Sequence, residues 1–147
     1  IARGKVKPLN ELSPLGFDAL IMPGGFGVAK NLSSFAFDGV ACELNESLVS
    51  IVKAFHLQKK SIGAICISPA IIGTILKNEK PLVTIGNDEQ TQAILKEAGI
   101  RHQNCEASEV AVDKENRVFT TPAYMYDDAN LAEVFQAISK LVLEILA

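Results

Sequence analysis

The sequence predicts an α/β sandwich in which helices cover both faces of a mostly parallel sheet. Short apolar runs, such as Phe17 to Met22, alternate along the chain with amphipathic segments. Nearly continuous runs are typical of strands buried on both faces, and the alternation is typical of parallel strands joined by crossover helices. The chain has 147 residues, 48% of them hydrophobic, which is enough for one domain, residues 1–147, with its own core.

The first predicted strand, Phe17 to Met22, ends at a glycine loop that begins at Pro23. Residues 26 to 42 show no clear periodicity, and we interpret them as an irregular loop that covers part of the molecule. We interpret Asn45 as a helix cap, because apolar residues follow it at three- and four-residue spacing. The pattern ends near Gln58, which is followed by two lysines. This segment predicts an amphipathic surface helix.

The middle of the chain repeats the order of strand and helix. Ser61 to Ile65 predicts a second buried strand, and Ile67 to Leu76 an apolar helix, in which Pro69 is tolerated only in the first turn. Leu82 to Ile85 predicts a third strand, and the helix Glu89 to Ala98 follows a turn and cap at residues 86–88.

The last third of the chain predicts short strands and one long helix. Ile100 to Gln103 favours a short strand, and Val110 to Asp113 with Arg117 to Thr120 favours a hairpin. From about Asp128 to Leu146 a wide apolar stripe predicts a helix that packs across the sheet.

Charge and composition exclude several classes of function. A net charge of -3 with scattered basic residues argues against a nucleic-acid partner. No apolar run approaches the roughly 20 residues of a membrane helix, and no signal peptide is recognised, so we expect a soluble intracellular protein without a membrane partner. The three cysteines form no CxxC pair, so we expect neither a metal site nor a disulfide framework.

Cys66 is the predicted chemical centre, because it lies between an apolar strand and a helix with no spacer. Such a turn resembles a nucleophile elbow, and the positive end of the following helix would favour a thiolate. The N–H of Ile67, together with one from Gly25 or Phe26, could stabilise a developing oxyanion. Because carboxyl ends of parallel strands meet at one sheet edge, the loops at 24–27, 66–67, 86–88 and 121–124 should converge there.

Five further residues are candidate pocket residues, and each has a structural alternative. The glycines of the loop could let its backbone approach the site closely, or they could be present only because the loop needs positive φ angles. Lys30 and Asn31 could close the pocket or cap the loop. Thr121 and Tyr124 could line the crevice or could be a strand end and a packing residue. The set is Gly24, Lys30, Asn31, Thr121 and Tyr124.

Three blocks of the sequence resemble the signature of the ElbB family, also called enhancing lycopene biosynthesis or sigma cross-reacting proteins, within the PfpI-like, class I glutamine amidotransferase-like superfamily. The blocks are Pro23 to Ser33, Cys66 to Ala70 and Thr120 to Met125. The resemblance implies a flavodoxin-like three-layer sandwich, a homodimer and a nucleophile at Cys66. It also implies glyoxalase chemistry on a small aldehyde such as methylglyoxal, with no cofactor, in the bacterial cytoplasm or, in a eukaryote, in mitochondria.

The resemblance also implies a catalytic partner that this sequence does not contain. Relatives carry a glutamate in a first strand–helix unit, whereas this chain opens at Ile1 without it, so we expect the domain to be incomplete at its N-terminus. His56 and His102 are expected to be surface or half-buried residues rather than partners of Cys66, and Cys42 and Cys105 to be structural. A glutaminase half is disfavoured, because no His-x-Glu sequence follows the cysteine. The alternative to an enzyme is therefore an accessory or redox-sensing protein linked to isoprenoid metabolism or stress.

Overall fold

The main sheet has four strands, and three of them are parallel. The computed structural model describes residues 4–147, apart from the side chain of Val40. The strands are β1 (Ala19–Met22), β2 (Ser61–Ile65), β5 (Ala111–Asp113) and β6 (Val118–Thr121). Their order in the sheet is β1-β2-β6-β5, with β5 antiparallel to β6. The α/β class with a mostly parallel sheet is thus confirmed.

Helices cover the sheet on both faces. Helices α3 (Glu46–Leu57) and α4 (Ser68–Ile75) pack on one face, where Phe55 and Ile62 belong to the larger core cluster. Helix α6 (Leu131–Leu146) packs on the other face, where Leu141 and Ile145 contact Phe119. These layers form the sandwich that the sequence predicted.

Gly63 in β2 allows α6 to approach the sheet closely. A Cβ at this position would lie 2.7 Å from Cδ1 of Ile145 and 3.1 Å from Cδ2 of Leu141. Those side chains therefore occupy the space above Gly63, and a larger residue there would require their terminal methyl groups to move.

The third strand is shorter than the sequence predicted, and it lies in a separate sheet. Strand β3 (Leu82–Val83) pairs in parallel with β4 (Arg101–His102), and α5 (Glu89–Glu97) connects them. The backbone after β3 is bonded to the main sheet through a side chain rather than through strand pairing. The N–H of Thr84 donates to Oγ1 of Thr120 at 2.9 Å. The extension to Ile85 was wrong because such bonds, rather than strand pairing, satisfy this backbone.

Asp113 joins the two sheets through one carboxylate. It accepts hydrogen bonds from the N–H of Leu82 at 2.7 Å, from Nδ2 of Asn116 at 2.9 Å and from Arg101 at 3.1 Å. Burial by itself raises the pKa of Asp113, but these hydrogen bonds and the Arg101 charge lower it overall. The carboxylate is therefore held ionised where β3 meets the hairpin.

The segment 26–42, predicted as an irregular loop, contains short helices instead. They are α1 (Phe26–Asn31) and α2 (Phe35–Asp38), followed by a 3-10 turn at Gly39–Ala41. Each is too short to show a helical period in the sequence. Buried Phe35 packs in the larger core cluster, and tertiary packing thereby stabilises helices that local pattern does not reveal.

The other boundaries follow their caps. The side chain of Asn45 accepts from the N–H of Leu48, and that of Asp88 accepts from Thr91. Helix α6 starts at Leu131 rather than near Asp128, because Asn130 forms a capping box with its third helical residue. Further 3-10 turns lie at Leu9–Glu11, Lys77–Glu79 and Ala123–Met125.

Within the described residues, no helix has the length and apolar character that a bilayer crossing requires. Ile1, from which the expectation of an incomplete N-terminus began, lies outside those residues.

Candidate functional site at the Cys66 elbow

Cys66 adopts a left-handed backbone conformation between β2 and α4. Its φ is 64°, a region that is strained for a residue with a Cβ and costs on the order of 1–3 kcal/mol. Its N–H donates to the carbonyl of Thr121 at 3.0 Å, which extends the β2–β6 pairing by one residue before the chain turns. The half-buried cysteine therefore has the elbow geometry that the sequence predicted for this position.

Gly24 lies directly against the cysteine. A Cβ on Gly24 would be 2.4 Å from Cβ of Cys66, 2.7 Å from the carbonyl oxygen of Ile65 and 3.1 Å from Sγ of Cys66. Two of these neighbours are fixed by the backbone of the elbow, so they cannot move away alone. The glycine is required here because of close approach, rather than because of its own backbone angle.

Ser68 ties the start of α4 to the glycine loop. Its side chain is fully buried, and its hydroxyl donates to the carbonyl of Pro23 at 2.8 Å. The sequence reasoning gave this serine no role of its own. The sequence nevertheless contains a signal for this contact, because a serine directly before Pro69 at a helix start can use its hydroxyl to bond a neighbouring loop.

Three backbone donors at this edge have no acceptor within the described residues. They are the N–H groups of Gly25, Phe26 and Ile67. Gly25 has a φ of 116° and precedes the first residue of α1, while Ile67 precedes the first residue of α4. Ile67 follows Cys66 directly, and Gly25 and Phe26 follow Gly24, which contacts Cys66. Free N–H groups favour an anionic oxygen.

The remaining predicted residues differ in exposure. Phe26 and Tyr124 are exposed, by 70% and 52%, and Lys30 and Asn31 are exposed on α1. Thr121 is fully buried, and its hydroxyl donates to the carbonyl of Glu109 at 2.9 Å. Thr121 hydrogen-bonds to the elbow through its carbonyl, which accepts from the Cys66 N–H.

The predicted loop at residues 86–88 contacts the loop that follows β6. Gly86 has a φ of 82°, and a Cβ there would lie 2.8 Å from the ring of Tyr126 and 3.3 Å from Cβ of Pro122. Asp88 caps α5 through the N–H of Thr91. The carboxylate of Asp88 is thereby engaged in helix capping.

No acid–base partner contacts the thiol within the described part of the chain. Neither a carboxylate nor an imidazole is hydrogen-bonded to Sγ of Cys66 there, and no group of three or more potential metal ligands is found. Nε2 of His102 accepts from the N–H of Ile85 at 3.2 Å, and burial lowers the pKa of His102. Nε2 of His56 lies 3.4 Å from Oδ1 of Asn116. Both histidines are therefore engaged elsewhere.

The other two thiols are less suited to reaction. Burial raises the pKa of Cys42 and of Cys105, which disfavours the thiolate at both positions. Cys105 is 2% exposed, and its sulfur accepts from Nε2 of Gln103 at 3.6 Å.

Comparison with known proteins relates the whole chain to amidotransferase-like proteins. The chain is 39% identical over 155 residues to the human protein named glutamine amidotransferase-like class 1 domain-containing protein 3, mitochondrial. It is 38% identical over 155 residues to the rat protein named ES1 protein homolog, mitochondrial. Each alignment covers 99% of this chain but 57% of the relative, so the chain spans little more than half the length of these relatives. No protein-family model matches the chain.

A solved structure gives the same relationship in three dimensions. An isoprenoid biosynthesis protein with an amidotransferase-like domain from Ehrlichia chaffeensis superposes with a TM-score of 0.83 at 33% identity. The match covers 94% of this chain and 62% of that protein. The fold is therefore that of the class I glutamine amidotransferase-like superfamily, as the resemblance implied.

Proposed function

We propose that the chain belongs to the ElbB family and acts on small α-oxoaldehydes through Cys66. One observation carries the proposal: a cysteine in a left-handed elbow lies against a glycine loop, beside three N–H groups without acceptors. This combination supplies a nucleophile and stabilises the oxyanion that forms when a nucleophile attacks a carbonyl carbon.

The proposed reaction needs no external oxidant or reductant. The thiolate of Cys66 adds to the aldehyde carbon of methylglyoxal, and the carbonyl oxygen becomes the oxyanion of a hemithioacetal. Removal of the proton from that carbon, and delivery of a proton to the neighbouring carbon, converts the adduct into a 2-hydroxyacyl thioester. Water then hydrolyses the thioester, releasing lactate and the free thiol. The aldehyde carbon is oxidised and the ketone carbon is reduced within one molecule.

The proton transfer needs a base, and the described residues around Cys66 supply none. By resemblance to the family, we propose a glutamate from a strand–helix unit outside residues 1–147. Adduct formation at Cys66 and turnover to lactate are therefore separable properties, because the first needs only the elbow and the second also needs the base.

The test is lactate production from methylglyoxal by the full-length gene product, compared with its Cys66→Ala variant. Removing a nucleophile lowers turnover on the order of 10³-fold or more. The Cys42→Ala variant is the matched control and should retain activity. Equal lactate production by the wild-type protein and Cys66→Ala would exclude the proposed reaction.

A second candidate is a redox-sensing accessory role, which the missing acid–base partner favours. In that role hydrogen peroxide oxidises the Cys66 thiolate to sulfenic acid, with one oxygen atom transferred to sulfur and hydroxide released. Peptide mass spectrometry after brief peroxide treatment would locate the added oxygen. Oxidation at Cys66 without lactate production in any form of the protein supports this role, whereas oxidation spread over all three cysteines contradicts it.

The names of the human and rat relatives place those proteins in mitochondria. We propose the same location for this protein if it is eukaryotic, and the cytoplasm if it is bacterial.

A further inference from the structure

Ser68 links the glycine loop to the elbow through its side chain. Its hydroxyl donates to the carbonyl of Pro23 at 2.8 Å, and the residue is fully buried. Within the described residues, no other hydrogen bond joins the glycine loop, residues 23–27, to the elbow, residues 65–68. The parallel pairing of β1 with β2 has already ended before these segments begin to diverge. The hydroxyl therefore supplies the directional link between the loop and the cysteine.

A second hydrogen bond holds the other end of the glycine loop. The N–H of Val28 donates to the carbonyl of Gly25 at 3.0 Å, at the start of α1. A peptide unit is planar, so the bonds to the carbonyls of Pro23 and Gly25 orient two peptide units. The unit between them carries the N–H of Gly25, and glycine has wide conformational freedom unless its neighbours are held. Ser68 therefore restricts the direction in which that N–H points.

The Ser68 bond and the Gly24 contact together close a small ring of residues. Pro23 and Gly24 form one side of the ring, and the three residues from Cys66 to Ser68 form the other. The hydroxyl bond closes one end, and the close approach of Gly24 to Cβ of Cys66 closes the other. Because Ser68 is fully buried, it does not contact a substrate. Any effect of Ser68 on a reaction at the thiol must therefore pass through the loop.

We propose that Ser68 is a positioning residue, whose hydroxyl holds the N–H groups of the glycine loop in place relative to Sγ of Cys66. The inference rests on the proposed function, because it concerns the N–H groups to which that function assigns the oxyanion. Without the hydroxyl, the loop is free to move relative to the thiol. A reaction that forms an oxyanion at Cys66 should then become slower, whereas a reaction that forms none should not.

Two reagents distinguish this positioning role from a general loss of structure. The Cys66 thiolate attacks the carbonyl carbon of p-nitrophenyl acetate, and the resulting oxyanion collapses, which expels p-nitrophenolate and leaves an acetyl thioester on Sγ. The same thiolate displaces iodide from the methylene carbon of iodoacetamide, and no oxyanion forms. Both rates depend on the thiolate fraction and on access to Sγ. The ratio of the first rate to the second therefore measures oxyanion stabilisation.

The test compares this ratio in the full-length gene product and its variants, after subtraction of the rates measured with Cys66→Ala. Ser68→Ala should lower the ratio about tenfold or more, because a single oxyanion donor contributes roughly 10²–10³ in rate. Thr74→Val is the matched control and should leave the ratio unchanged. Thr74 is also buried in α4, but its hydroxyl donates within the helix, to the carbonyl of Ala70 at 2.8 Å.

Three results would overturn the proposal. The first is a ratio that Ser68→Ala leaves unchanged, including the case in which both reactions slow equally. The second is an equal fall in Thr74→Val, which would assign the effect to loosening of α4. The third is a wild-type ratio no higher than that of free N-acetylcysteine, which would remove the proposed oxyanion site as well.

The outcome for the proposed reaction is read separately. A lower ratio in Ser68→Ala, together with no lactate from methylglyoxal in the wild-type protein, would support the positioning role and contradict only the proposed turnover. Folding of each variant is checked by circular dichroism. If Ser68→Ala is unfolded in buffer, the same ratios are measured in trimethylamine N-oxide, which favours the folded state because it is excluded from the protein surface.

Discussion

Replacing Gly24 with alanine should displace the elbow without removing any functional group. The new Cβ would lie 2.4 Å from Cβ of Cys66 and 2.7 Å from the carbonyl oxygen of Ile65. Carbon atoms in favourable contact are about 3.5–4.0 Å apart. The methyl group would therefore be about 1 Å too close, and the backbone of either the glycine loop or the elbow must move by a comparable distance.

Two consequences follow from a shift of that size. Overpacking of this kind destabilises a protein by about 1–3 kcal/mol. A misplacement of about 1 Å at a reacting group can lower a reaction rate about 100-fold. We therefore expect Gly24→Ala to remain folded, with a lower urea midpoint, while Cys66 reacts far more slowly with methylglyoxal.

The assay measures adduct formation at each cysteine by peptide mass spectrometry, alongside urea unfolding. Gly27→Ala is the control, because a Cβ at Gly27 meets only Nδ2 of Asn31, at an ordinary 3.5 Å. Normal reactivity and stability in Gly24→Ala would refute the argument that close approach explains this glycine. An equal loss in Gly27→Ala would attribute the effect to helix α1 instead.

Two further predictions concern the two-stranded sheet and its join to the main sheet. Asp113→Ala leaves the partly buried N–H of Leu82 and Nη2 of Arg101 without this acceptor, and should cost about 2 kcal/mol in urea unfolding. Asp113→Asn, which keeps one acceptor oxygen, should cost less, and equal costs would contradict this account. His102 must be neutral to accept from Ile85, and burial lowers its pKa in the folded state. The unfolded state therefore binds the proton more readily, so stability should fall as pH decreases below the ordinary histidine pKa of about 6.5. His102→Gln should remove that part of the pH dependence, and a slope that persists unchanged in the variant would assign it to other groups.

Local signals in the sequence were sufficient to predict the central parallel strands and the longer helices. The Phe17 to Met22 and Ser61 to Ile65 runs became adjacent parallel strands, and the Asn45 cap lies where the spacing of apolar residues predicted it. These elements were predictable because each carries its own periodicity, cap or proline within a few residues.

The errors lie where tertiary contacts override local pattern. Helices α1 and α2 are six and four residues long, and packing of residues such as Phe35 rather than periodicity stabilises them. Strand β3 was predicted too long because the N–H groups of Thr84 and Ile85 donate to the side chains of Thr120 and His102 rather than to a neighbouring strand. No sequence rule applied to one segment reveals that its hydrogen-bond partners are side chains from another.

In the candidate site, too, the sequence predicts the residues that have a local pattern and does not predict the one that depends on tertiary contacts. The proposed nucleophile and the three free N–H groups belong to loops at the ends of β1 and β2, and each loop was recognisable from its own glycine, cysteine or proline. An acid–base group has no such local signature, because its role depends only on reaching the thiol in the folded molecule. Cys66 therefore has the backbone environment of a reactive thiol, whereas catalysis requires a group that the described residues do not place beside it. Adduct formation at Cys66 without lactate release by the 147-residue chain would show that the thiol reacts in the absence of that group, whereas the absence of any adduct at Cys66 would contradict this account.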